Sequence, residues 1–352
     1  MALASFAFTG CGQGGEGAAP GGDGVIRLTI GAGHTAALVY VRAAEDFFMP
    51  EVARRVAEET NYTIEWTPAW ASVAGLNEVL GATEAGLLDI GLVWSAFEPS
   101  ILWLHNLHAY TPFHSPDSEQ VVRLMNKLYD EFPYFKQIFE DNGQRWLASA
   151  SSGNFQLITT TPISSVDQVS GKTIGAAGPN LSLLRGTGAI PFPGMLPEVY
   201  MNFQTGMIDG YIMYATSNMN FMLYEVAPYL SMMDIGAVAL AKMTINTGVW
   251  NSLPPEVQAI IEEVAQEYSV VSPRMSMESD REALRIMQER GLTLVEFTPA
   301  ERARWAALMP NVAMEWVEEA ESMGYPGRAI LERYMELLEA EGVVLPRDWS
   351  VD

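Results

Sequence analysis

Positive charge is scarce in this chain. Its 352 residues include 20 Lys and Arg against 43 Asp and Glu, a formal net charge of −23 with histidine neutral. A surface of that sign repels phosphodiester backbones and anionic lipid, which excludes nucleic acid as a partner. Cysteine is rarer still: Cys11 stands alone, so no disulfide can form within the chain. Long apolar runs are missing too, because past Asp23 none reaches the ~20 residues needed to span a bilayer. There is no GxSxG elbow and no Walker loop, and GAGHTAAL, residues 31–38, lacks the third glycine of a dinucleotide fingerprint. The histidines of LHNLHAYTPFH (His105, His108 and His114) have neither zinc-ligand spacing nor a cysteine beside them. They read as packing or surface groups, and no metal is expected. Binding without catalysis or cofactor is what these absences leave.

What the chain does have is a repeat. EVLGATEAGLLDIG begins at Glu78 and EVYMNFQTGMIDG at Glu198, so Glu78, Gly86 and Asp89 return as Glu198, Gly206 and Asp209, each 120 residues on. Each copy reads as a helix stopped by glycine, then a buried strand opened by aspartate. The segments before the first copy, VIRLTIGAG, VYVRAAEDFFMPEVARRVAEET and YTIEWTPAW, read as strand, helix and strand. Before the second copy, GKTIGAAG reads as a strand, NLSLLRGTGAI as a helix capped near Gly188 and PFPG as a connection.

The β-α-β order predicts an α/β fold of two lobes, each with a mostly parallel sheet. WLASASSGNFQLITT and DIGAVALAKMTINTGVW are the expected crossovers, and helices fill the rest. Residues 25–152 with 239–279 are assigned to one lobe, 153–238 with 280–352 to the other, and 1–24 to an N-terminal extension. Loops beyond the carboxyl ends of the strands form the ligand crevice in such sheets, so VWSAFE and YIMYATSN are expected to face each other across an interlobe cleft.

GKTIGAAG, GAIPFPGMLPEVYMNFQTGMIDGY and TGVWNSLPPEVQAIIEEVA together resemble the solute-binding proteins of TRAP transporters, the C4-dicarboxylate or DctP type. The resemblance runs from Val25 to the last helix. It implies a periplasmic-binding-protein-like fold and an extracytoplasmic receptor that passes a small solute to the membrane permease subunits of an ion-gradient-driven transporter. The apolar run ending in Thr9-Gly10-Cys11, followed by a Gly-rich tether, resembles the end of a lipoprotein export signal, which makes Cys11 a candidate lipid anchor.

The departures from the family pattern bear on the ligand. Where carboxylate-binding members carry an arginine, at the end of the strand GKTIG, this chain has Gly175; where a second basic residue falls, in SGNFQ, it has Phe155. Tyr211, Ile212 and Met213 follow the Asp-Gly pair, and Trp94 ends the first lobe's last strand. Trp94, Phe97, Phe155 and Tyr211 are the main candidate binding residues, with Gly175, Trp70, Met213 and Tyr214 beside them. Pattern alone would make Trp94 and Phe97 core, but their place past the carboxyl end of a strand favours the pocket. Glu98 would add one acid or be an ordinary carboxylate at a helix start, and His34 would be a polar wall or a solvated loop residue. The expected solute is cationic or weakly polar. Two alternatives stay open: an aromatic or hydrophobic carboxylate held by Arg185 or by backbone N–H groups of residues 178–180, and an extracytoplasmic enzyme on a related two-lobe fold.

Overall fold

The computed structural model describes residues 24–194 and 196–351. Eleven strands run among them: β1 (Val25–Ala32), β2 (Thr63–Trp70), β3 (Ile90–Trp94), β4 (Gln144–Ala150), β5 (Gln156–Thr159), β6 (Thr173–Ala176), β7 (Ile190–Pro193), β8 (Gly210–Met213), β9 (Tyr229–Met232), β10 (Ala241–Asn246) and β11 (Thr293–Glu296). They form two sheets, ordered β2-β1-β3-β10-β4 and β11-β9-β5-β8-β6-β7. β1 is parallel to β2 and β3, and β6 is parallel to β7 and β8; the crossover strands β10 and β5 join antiparallel. This is the two-lobe α/β architecture the strand order predicts.

The repeat has one structural meaning in both lobes. Glu78 and Glu198 directly precede the helices Val79–Glu84 and Val199–Gln204. Gly86 (φ 72°) and Gly206 (φ 69°) then take the left-handed turn that a residue with a Cβ resists. Asp89 exchanges two bonds with one residue of β1: its amide donates to the Thr29 carbonyl at 2.9 Å, and its carboxylate accepts the Thr29 N–H at 2.6 Å. Asp209 does the same to Thr173 of β6, at 2.7 and 2.8 Å. The Asp89 and Asp209 carbonyls accept from Asn246 and Thr160, each at 2.9 Å. Each aspartate therefore sets the register of a fully or nearly fully buried strand, β3 or β8, whose far end reaches the cleft.

The two crossovers run side by side. Phe155 and Ile235 lie on opposite passages, the Phe155 N–H donating to Gly236 and the Ile235 N–H to Phe155, both at 3.2 Å, and Asn154 pairs with Ala237. Two short paired passages are the kind of connection that lets lobes hinge with few dihedrals changing.

Three expectations are corrected. Residues 178–184 form a 3-10 helix that stops at Arg185, because Gly186 (φ 81°) and Gly188 (φ 80°) leave helical space within four residues. The segment read as a plain connection supplies most of β7. The C-terminal helices do not stay with the second lobe. Pro299–Leu308 does, through Trp305 Nε1 donating to Leu183 at 2.7 Å. Val312–Ser322 packs on the first lobe, where Trp316 and Trp103 each donate an indole N–H to the other's carbonyl, at 3.1 and 3.0 Å. Gly327–Ala340 follows it there, with Arg333 paired to Glu131 at 2.6 Å.

Removing the carboxylate in Asp89→Ala or Asp209→Ala orphans an inward strand amide, a loss of about 1–3 kcal/mol. The two sites lie in separate sheets, so the double variant is expected to lose the sum. Urea unfolding checks this; a silent single variant, or one aspartate mattering without the other, contradicts the shared role.

Candidate functional site

A cavity of about 320 Å³ lies where the ends of β1, β3, β6 and β8 meet the crossovers. On the first-lobe side β3 ends at Trp94, and the 3-10 turn Ser95–Phe97 swings Ala96 and Phe97 over the opening. That turn is fixed from behind: the Ser95 N–H donates to the Leu240 carbonyl at 2.9 Å and its hydroxyl to Asn106 at 2.8 Å. After β1 the chain passes so near Leu76 that a Cβ on Gly33 would lie 2.6 Å from the Leu76 Cα, and this close passage delivers His34 to the wall. Trp94 packs on Tyr40 (centroids 5.1 Å) and edge-on to His34 (5.6 Å).

From the other side Tyr211, Ile212, Met213 and Tyr214 line the cavity in succession, and Phe155 enters from the first crossover with its ring 5.7 Å from that of Tyr214. Trp94, Phe97, Phe155, Tyr211, Met213, Tyr214 and His34 all line this one cavity.

Gly175 is not open to the cavity. A Cβ there would stand 2.6 Å from the ring of Tyr211, whose hydroxyl is committed to the Gly194 carbonyl at 2.9 Å. Trp70 is half-buried behind the wall, and its neighbour Ala71 takes the lining position. Glu98 faces elsewhere. One residue past the turn its side chain points outward, into a surface groove with Asn77 and Ile101, where partial burial pushes its carboxyl up to about 6. Arg185 lies outside as well, held by Glu315 at 2.6 Å beside Trp103 and Tyr110. The backbone of 178–180 has one N–H to give: Pro179 has none, that of Asn180 donates to Ala177 at 3.3 Å, and that of Gly178, which lines the cavity, has no partner among the described residues.

Among the described residues no Asp, Glu, Lys or Arg lines the cavity. His34 is half-buried in the cavity wall, and desolvation lowers its ring to about 4, leaving it neutral at pH 7. Its Nδ1 is 2.8 Å from the Tyr40 hydroxyl. Asn180, absent from the sequence-based set as a side chain, lines the second-lobe side while 8 % exposed. Phe221 was also missed; it follows the helix Ala215–Asn220, where the Asn220 amide reaches across to the Ala37 carbonyl at 2.8 Å. Position after strand β8 is the one signal that could have found it.

The three clustered histidines serve packing. His105 bonds the Tyr129 hydroxyl, His108 Nε2 accepts the Ala239 N–H at 3.0 Å, and His114 fills the space beside Gly236. Among the described residues no group of three or more His, Cys, Asp or Glu side chains could hold a metal ion. No described helix is long and apolar enough to cross a membrane, and Cys11 lies outside the described residues.

Comparison with known proteins agrees with this architecture. Residues 51–319 match the family described as bacterial extracellular solute-binding protein, family 7, or DctP. A solute-binding protein of Sulfitobacter sp. strain NAS-14.1 is 26% identical over 168 residues, 47% of this chain and 51% of that protein, so the alignment spans about half the relative's length. The ectoine-binding periplasmic protein TeaA of Halomonas elongata is 21% identical over 310 residues, 86% of this chain and 88% of its own. A TRAP periplasmic solute-binding protein from Desulfovibrio salexigens superposes with a TM-score of 0.80 at 19% identity, over 90% of this chain and 97% of that one. Such relatives are binding proteins of transporters, not enzymes, and the family works outside the cytoplasm. With its family pattern matched over most of its length and its strands arranged in two sheets, the chain belongs to the DctP family of extracellular solute-binding proteins.

Proposed function

We propose that the chain is the extracytoplasmic receptor of a TRAP-type transporter, handing a small uncharged or weakly polar solute to membrane permease subunits, and that it disfavours carboxylates. The observation that carries this reading is a cavity walled by aromatic and aliphatic side chains with no formal charge among its described lining residues. A carboxylate entering it would shed water without a cation in return, a cost of several kcal/mol. The other sources of compensation are few: Arg185 pairs with Glu315, and of the 178–180 backbone only the Gly178 N–H has no partner among the described residues, one neutral donor where a buried carboxylate needs several. With Glu98 turned away, a cation would find ring faces alone, about 0.5–2 kcal/mol for a well-placed ring, so uncharged solutes are favoured over ammonium ions. Cys11 completes the reading as an acylated anchor to the membrane the permease occupies.

Calorimetric titration with succinate and with its uncharged diamide compares charge at matched shape. The diamide is expected to bind at least about tenfold more tightly, roughly 1.4 kcal/mol, and Trp94→Ala to weaken it more than Arg185→Ala does. Tighter succinate binding that disappears in Arg185→Ala overturns the proposal. The Tyr211 contact yields a second expectation. Gly175→Arg alone collides with the ring and leaves benzoate affinity unchanged, whereas Gly175→Arg with Tyr211→Ala raises it by about tenfold or more. A gain in the single variant would mean that Tyr211 yields and is no barrier.

A further inference from the structure

The polar groups of an otherwise apolar cavity are few enough to be read one by one. Tyr40 is fully buried, and the single partner of its hydroxyl among the described residues is His34 Nδ1 at 2.8 Å. A buried hydroxyl hydrogen without an acceptor is costly, so Tyr40 donates to Nδ1. The neutral ring then carries its hydrogen on Nε2, and the first-lobe wall offers a donor. Trp94 adds an indole N–H that has no partner among the described residues. On the opposite side the side-chain amide of Asn180, more than nine-tenths buried, also has none, although its backbone N–H is bonded. It supplies a carbonyl acceptor and an N–H donor side by side.

We infer that the solute presents an uncharged carboxamide or lactam edge, a C=O beside an N–H, to the side-chain amide of Asn180, and places an acceptor atom toward His34 and Trp94. The inference rests on the uncharged-solute reading and narrows it. A carboxylate offers acceptors only and leaves the Asn180 oxygen facing a negative charge; an ammonium offers donors only and leaves the amide N–H groups unmet. An ester or ether meets the donors on the first-lobe side but not the Asn180 carbonyl. A planar amide satisfies both Asn180 atoms in one geometry, and its apolar remainder meets Phe97, Phe155 and Met213.

Benzamide, methyl benzoate and benzoate separate these possibilities, since all three carry one ring and differ in the head group. Calorimetric titration of the full chain is expected to rank benzamide ahead of methyl benzoate by about tenfold, with benzoate weakest. In Asn180→Leu the benzamide advantage should vanish while methyl benzoate affinity holds, with an unchanged circular dichroism spectrum showing an intact fold. Equal binding of benzamide and methyl benzoate by the unaltered chain, both ahead of benzoate, overturns the amide inference and leaves the uncharged-solute reading standing. Benzoate binding tightest overturns both. No saturable benzamide binding up to about 10 mM, or an advantage that survives in Asn180→Leu, also overturns the inference.

Discussion

The ring of Tyr211 lies over Gly175 so closely that no side chain fits between them, and the character of the cleft follows from that contact. At a strand end that faces a ligand, the residue type decides which charge can be taken out of water. An arginine there would offer a carboxylate a paired cation; a glycine covered by a phenol offers none. The same contact is self-reinforcing, because the Tyr211 hydroxyl is bonded to the Gly194 carbonyl and the ring cannot swing aside without losing that bond. The walls around it are consistent with this: Trp94, Phe155 and Met213 bring area without charge, and His34 is held neutral by its own burial.

Such a cavity keeps its shape only if the strand ends are held in place. Asp89 and Asp209 do the holding, each tying a buried strand to its parallel neighbour through both its amide and its carboxylate. The connection between the sheets runs through the paired passages around Phe155 and Ile235. Phe155 belongs to both systems, since its backbone is part of the crossover pairing and its ring is part of the cavity wall. A solute that packs on that ring would bear on the crossover backbone as well as on the wall. The Asn220 to Ala37 bond at the mouth, and the Arg185 to Glu315 pair from the second lobe to the helix packed on the first, add weak links across the gap.

Much of this was legible in the sequence because it is local. A helix stopped by glycine and a strand opened by aspartate leave marks a few residues apart, and finding them twice, 120 residues apart, disclosed the two lobes. The aromatic set at the cleft was legible for the same reason: residues just past a buried strand have few places to go. What was not legible depends on side-chain direction or on distant partners. Glu98 and Phe97 are neighbours, yet a tight turn sends one outward and the other in. Asn180 sits in a turn whose backbone drew notice while its amide did the lining. The placement of Val312–Ser322 on the first lobe is decided by an exchange of indole hydrogen bonds between Trp103 and Trp316, residues far apart in sequence that no periodicity connects.

The most direct measurement is a crystal structure of the chain with the solute it retains when purified from its native source. The account predicts an electrically uncharged head group between Asn180 and His34, its body on the rings of Trp94 and Phe155, with Arg185 still paired to Glu315. A carboxylate in the cleft, gripped by an Arg185 that has left Glu315 or by the backbone N–H groups of residues 177–180, would contradict it.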